Sequence, residues 1–180
     1  RTIPADFGVI PDLGLGIVEM AAASGLSHVG PDERRPLRCS SYGTGLLLAV
    51  ASRQVDRLLL TLGGTATVDG GCGILQALGC RVLTDYGVPL DDPVTGGRLT
   101  SLTRVEAVTG LPPMDLAADV MVPLLGPDGA ARRFGPQKGA DDHDVDLLEA
   151  GLMRLADLVD PEGRFRRVPG GGAAGGTAFT

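Results

Sequence analysis

Apolar positions in this chain fall into short runs, separated by stretches rich in glycine and proline. The densest run is 58–78, LLLTLGGTATVDGGCGILQAL. Leu58, Leu59, Leu60 and Leu62 form an aliphatic strand pattern. Two glycine pairs, Gly63-Gly64 and Gly70-Gly71, follow, and then Ile74, Leu75 and Leu78 at helical spacing. This reads as a buried strand, a glycine-rich loop and a helix N-terminus.

The other runs are arranged around this unit. Residues 1–16 carry Pro4, Pro11 and three glycines and are expected to be irregular. Residues 17–23, IVEMAAA, suit either a strand or a short helix. The single charge there, Glu19, is either a solvated edge residue or a carboxylate turned toward a site. A proline-bracketed loop, PDERRP, precedes CSSYGTG and an aliphatic helix over 46–55, with Ser40 or Ser41 and Thr44 as N-cap candidates. Residues 42–45 either cap that helix or form a second hydroxyl-and-amide surface. Beyond the central unit, Gly79 is placed to end its helix. Residues 81–84 suit a short strand and Asp85-Tyr86-Gly87 a turn. Residues 87–113 suit loops with at most one short strand. A strand over 114–120 ends at Asp119, and 129–134 suits a short helix. Asp141 or Asp142 caps an amphipathic helix whose Leu148, Leu152, Leu155 and Val159 share one face.

These elements predict an α/β fold: a mixed-sheet, layered domain with glycine-rich loops after its strands. The length of 180 residues suits one domain. Its parts are an irregular lead-in over 1–16, a core over 17–168, and a glycine-rich loop over 169–180 leading into a helix that the sequence lacks. The expectation is therefore a fragment, or a chain whose other part is missing.

Composition narrows the function classes. The chain is 43% hydrophobic and 21% charged, enough to bury a core. Aromatic residues make up only 3%, with no Trp, so the core is aliphatic. The net charge of −6 and the lack of a basic stripe argue against nucleic acid and anionic membranes as partners. No apolar run reaches the ~18 residues of a membrane span. Three cysteines, Cys39, Cys72 and Cys80, have no metal-ligand spacing, and the N-terminus has no apolar signal core; together these point to the cytoplasm.

The glycine loop is the first chemical candidate. Loops at the C-terminal ends of α/β strands are where ligands usually sit. Glycines allow close approach of amides, and the helix N-terminus favours a phosphate or carboxylate. Thr65, Thr67 and Asp69 add two hydroxyls and a carboxylate. The pattern is neither a P-loop nor GxGxxG, and a tight turn that needs glycine only for geometry is the plain alternative. A lysine between glycines, in 135–139 GPQKG, can meet a phosphate as a point charge. A surface lysine is the plain alternative there, as a cap or turn former is for Asp119.

Six blocks then occur in one order: EMAAASGL, SYGTG, LGGTATVDGGCGILQALG, ADVMVPLLG, FGPQKGA and PGGGAAGG. In this order they resemble the bacterial glycerate kinase family of type I, from about residue 17 to the end. The resemblance implies a two-domain α/β enzyme that phosphorylates D-glycerate with ATP and Mg²⁺, of which this chain is the middle half and largely the inserted domain. It implies Lys138 as the cation that neutralises phosphate charge and Asp69 as acceptor of the attacking hydroxyl's proton. Asp119 would hold Mg²⁺. Gly63, Gly64, Gly70 and Gly71, with Thr65 and Thr67, would bind the substrate carboxylate or a phosphate. Gly170, Gly171 and Gly172 would form a second anion cradle. A homodimer is compatible with this reading. Two positions depart from the family pattern: Val68 and Val122 stand where polar residues are usual. If those polar groups belong to the site, their loss costs roughly 1–3 kcal/mol each. On that ground, and because the family's N- and C-terminal segments are not in this sequence, the rival reading is an inactive remnant or paralogue that at most binds a small anion. A dinucleotide-binding domain would rest on the strand–glycine–helix unit alone.

Overall fold

The computed structural model describes residues 2–85 and 87–180. Tyr86, the middle of the expected 85–87 turn, lies outside the described residues. The central run is strand β3 (Arg57–Leu62), third in a four-stranded sheet of order β1-β2-β3-β6. Strands β2 (Leu15–Glu19), β3 and β6 (Met114–Ala118) are parallel, and β1 (Gly8–Ile10) runs antiparallel to β2. The register places Glu19 beside Thr61 and Leu62 beside Ala118. The C-terminal ends of the three parallel strands therefore share one edge, the usual position of an α/β ligand site. A separate two-stranded antiparallel sheet joins β4 (Val82–Thr84) and β5 (Leu102–Val105).

Two cores hold these sheets. On β3, Leu58, Leu60 and Leu62 alternate onto one face and are almost fully buried. They pack with Val18, Met20 and Leu48 of the β2–α1–α2 segment and with Ile74 of helix α3 (Cys72–Ala77). Helix α1 is Met20–Ser24 and α2 is Tyr42–Ala51. The second core lies under helix α5 (Asp142–Val159). There Leu148, Leu152 and Leu155 are fully buried against Val68, Leu99, Leu102 and Leu124. Burying a leucine is worth roughly 1.5–3 kcal/mol, so these three anchor the long helix. The Asp141 carboxylate caps α5 by accepting from the Asp144 amide at 2.8 Å. A short helix, α4 (Ala130–Phe134), precedes it.

Four expectations need correction. Residues 1–16 are not irregular throughout: Val9 and Ile10 pair with Leu15 and Gly16 as a hairpin, turned by Pro11–Leu13 and by Gly14 at φ 55°. The α2 helix begins at Tyr42, because the SYGTG segment is itself helical. Residues 87–113 hold the one short strand expected there, β5, together with a 3₁₀ segment, Gly96–Ser101. Val159 is 36% exposed, so it drops out of the buried face of α5, which Ala156 and the partly buried Leu158 continue past Leu155. The C-terminal glycine cluster is not simply a loop either. It forms a tight buried turn, α6 (Ala173–Gly176), with left-handed residues inside it.

Candidate active site

At the shared strand edge a cavity of about 150 Å³ opens between the glycine loop and the 134–138 segment. Gly63, Gly64, Thr65, Asp119 and Lys138 line it, with Leu26, Leu62, Phe134 and Val120 as apolar walls. Four predicted groups thus converge: the first glycine pair, one threonine, the strand-end aspartate and the lysine.

Lys138 sits in the 3₁₀ turn Pro136–Lys138, which Gly139 ends at φ 92°. Its side chain is 4% exposed. The ammonium donates to Thr65 Oγ1 at 3.1 Å and to the Thr67 main-chain oxygen at 2.6 Å. Burial disfavours the charged form and lowers the pKa to about 8, against an opposing pull from the Asp69 carboxylate. The lysine is therefore an inward-facing, pre-positioned cation. The turn is fixed in part by Arg34, whose guanidinium donates to the Gln137 oxygen at 3.1 Å. Sequence reading treated Arg34 only as part of a proline-bracketed loop. A role for it has no local signal, because its partner lies 103 positions away.

The glycine loop is held from behind by the 24–26 segment. Leu26 N donates to the Gly64 oxygen at 2.7 Å, and Ala66 N to the Ser24 oxygen at 2.9 Å. Ser24 in turn shares a 2.8 Å hydroxyl bond with Thr44 of α2. The EMAAASGL and SYGTG blocks therefore support the loop from behind, and of the two only the first reaches the cavity, through Leu26. Gly64 has φ 61°, which L side chains rarely adopt.

Asp69 is placed differently from the expected proton acceptor. It is fully buried, and its carboxylate accepts four bonds. Ser41 N (2.7 Å), Ser41 Oγ (2.8 Å) and Gly73 N (3.3 Å) reach Oδ2, while Gly71 N (3.3 Å) reaches Oδ1. Burial raises its pKa, and the Ser41 and glycine donors oppose that rise. Its geometry is that of a brace between the N-termini of α2 and α3, away from the cavity wall. Ser41, expected as an N-cap, makes no cap bond with its side chain and serves this brace instead.

The remaining predicted residues separate from the cavity. Thr67 contributes its main-chain oxygen, while its hydroxyl is buried with no hydrogen-bond partner. Gly70 and Gly71 turn the chain at φ 58° and 75°; a Cβ on Gly70 would lie 2.2 Å from Leu155. Gly170, Gly171 and Gly172 form no open cradle. Gly171 N donates to the Val168 oxygen and Gly172 N to the Val122 oxygen, so these amides are already used in packing. Of the C-terminal cluster, Ala174 is the residue that lines the cavity. Glu19 is exposed at the end of β2. Among the described residues no group of three or more His, Cys, Asp or Glu is placed to hold a metal, and no helix is long and apolar enough to cross a membrane.

The sequence model of the "Glycerate kinase family" matches residues 1–180. The chain belongs to the glycerate kinase family. It is 40% identical over 187 residues to the glycerate kinase of Bacillus subtilis strain 168, across 99% of this chain and 48% of that protein. It is 37% identical over 183 residues to the glycerate 2-kinase of Escherichia coli K12, across 97% of this chain and 47% of that protein. Its fold matches the crystal structure of a protein assigned as glycerate kinase 2 from Salmonella typhimurium LT2. The TM-score is 0.91 at 37% identity, covering 98% of this chain and 49% of that one. The chain thus spans about half the length of the glycerate kinases it matches.

Proposed function

We propose that this chain carries the hydroxy-acid half of an ATP-dependent glycerate kinase, with the cavity beside Lys138 as the D-glycerate site. The observation that carries this reading is the buried ammonium of Lys138 aimed at the glycine loop across a small cavity. At about 150 Å³ the space suits a small acid, well below the ~300–1,000 Å³ of larger ligand pockets. A nucleotide would meet the acid from outside it.

Phosphoryl transfer asks a protein chiefly for positioning and charge neutralisation. Lys138 supplies the positive charge where the acid or the transferred phosphoryl carries its negative one. The Gly63-Gly64 backbone allows close approach, and the Thr65 hydroxyl orients the ligand. Asp119 is exposed at the cavity. A lone carboxylate fits Mg²⁺ that takes its other oxygens from phosphates and water, and Mg²⁺ there would offset phosphate charge. Asp69 acts through the loop it braces, so in our reading it is not the proton acceptor.

The remnant reading loses the support it drew from Val68 and Val122. Val68 is a fully buried core residue, and neither it nor Val122 lines the cavity, so no polar contact at the site is missing there. A cytoplasmic location agrees with Cys39, Cys72 and Cys80 all being free thiols. Light scattering tests whether two copies associate.

Calorimetry of the chain with D-glycerate, Mg·ATP and NAD tests the proposal. Heat with D-glycerate, with an affinity that Lys138→Met lowers roughly 10- to 100-fold, is the expected result. Binding of NAD in place of D-glycerate, or D-glycerate binding untouched by Lys138→Met, would overturn it.

A further inference from the structure

Ala174 is the single non-glycine residue with a left-handed backbone among those described, at φ 51° and ψ 40°. L side chains are disfavoured in this region by contact between Cβ and the backbone. Glycine is plentiful around it, at 170, 171, 172, 175 and 176, so the alanine stands where its neighbours would suggest a relaxed glycine. The turn also has little freedom to relax. Gly70 N donates to the Gly175 oxygen at 3.1 Å, and a Cβ on Gly175 would lie 2.2 Å from the Thr67 oxygen, the same atom that holds Lys138. A strained residue fixed by its surroundings beside a ligand cavity is a candidate for a functional constraint. Ala174 is 9% exposed and lines the same cavity as Lys138, Asp119 and Gly63.

We propose that Ala174 is a specificity-determining residue: its methyl group sets the length of hydroxy acid that the cavity accepts. The inference rests on the reading of the cavity as the D-glycerate site. The strained backbone is then the cost of placing one methyl group where glycine would leave room for a longer acid.

The test is calorimetry of the chain with D-glycerate and with its one-carbon-longer trihydroxy homologue, for wild type, Ala174→Gly and Ala174→Asn. Wild type is expected to favour D-glycerate. Ala174→Gly is expected to narrow that preference at least tenfold, since one methylene is worth roughly 10–200-fold in a fitted pocket. Its thermal midpoint should rise by about 2–4 °C as the strain is released. Ala174→Asn keeps a residue that tolerates the left-handed region and extends it into the cavity, so D-glycerate binding should fall at least tenfold. Wild type that binds D-glycerate, with an unchanged preference in Ala174→Gly, overturns the role of Ala174 and leaves the site reading intact. An Ala174→Asn variant that binds D-glycerate as tightly as wild type does the same. Wild type that binds neither acid overturns both.

Discussion

The ammonium of Lys138 lies 2.6 Å from the main-chain oxygen of Thr67, a residue 71 positions earlier. With the 3.1 Å bond to Thr65 Oγ1, this commits two of its three protons to the glycine loop and leaves one for a ligand. The lysine is thus both a tie across the cavity and its positive charge. Replacing Lys138 with Met should weaken D-glycerate binding roughly 10- to 100-fold, the range of a charge-assisted hydrogen bond of ~1.5–3 kcal/mol. Lys138→Arg should not restore it, because a planar fork cannot occupy the place of a compact ammonium in so small a cavity. Titration calorimetry of the two variants measures both effects.

The depressed pKa of Lys138, about 8 through burial, also predicts two opposite pH trends. Between about 8 and the ~10.4 of an unfolded lysine, the unfolded chain binds more protons than the folded one, so stability rises with pH. Below about 8 both states are protonated and the full burial penalty, on the order of 3 kcal/mol, is present. Anion binding needs the proton and should weaken about tenfold per pH unit above that pKa. Denaturant midpoints and D-glycerate titrations from pH 7 to 10 check the two trends, and Lys138→Met should remove both.

Much of this was legible in the sequence. The 58–62 run and the acids before α5 obey short periodicities and capping rules, and both elements form where expected. The glycine loop, Lys138 and Asp119 were singled out as chemistry, and the fold brings them around one cavity. The hairpin over 8–19 was missed because it is a three-residue strand turned by a proline, too short for a periodic signal. The bracing contact of Asp69 had no local signal because its partner, Ser41, lies 28 positions away, and loop chemistry alone does not distinguish a brace from a base. The same holds for Arg34 and Gln137, whose bond arises only from the tertiary fold.

Asp69→Asn separates those two roles. The amide must turn a donor toward at least one of the donors from Ser41, Gly71 and Gly73, leaving buried groups mismatched at roughly 1–3 kcal/mol. For a chain of this length that lowers the thermal midpoint by about 2–4 °C per kcal/mol. The loss should be seen without any ligand, and Asp69→Ala should lose more. A variant as stable as wild type that loses only turnover would instead make Asp69 a base.

Gly45 tests how tightly the loop depends on the helices behind it. It sits in α2 facing α3, and a Cβ there would lie 2.6 Å from Ala77 Cβ and 2.7 Å from the Ile74 oxygen. Backbone cannot yield as a flexible side-chain tip can, so Gly45→Ala must push the two helices apart. Overpacking of this kind costs typically ~1–3 kcal/mol, against a helix-propensity gain of up to ~1 kcal/mol from alanine. The packing term wins, and the thermal midpoint should fall by a few degrees. Because α3 begins at the glycine loop and Ser41 Oγ accepts from Ile74 N at 3.1 Å, the shift should reach the Asp69 brace. D-glycerate affinity should therefore drop together with stability in Gly45→Ala. In Lys138→Met, by contrast, affinity should drop without a matching loss of midpoint, and thermal denaturation beside calorimetry on the two variants separates the cases.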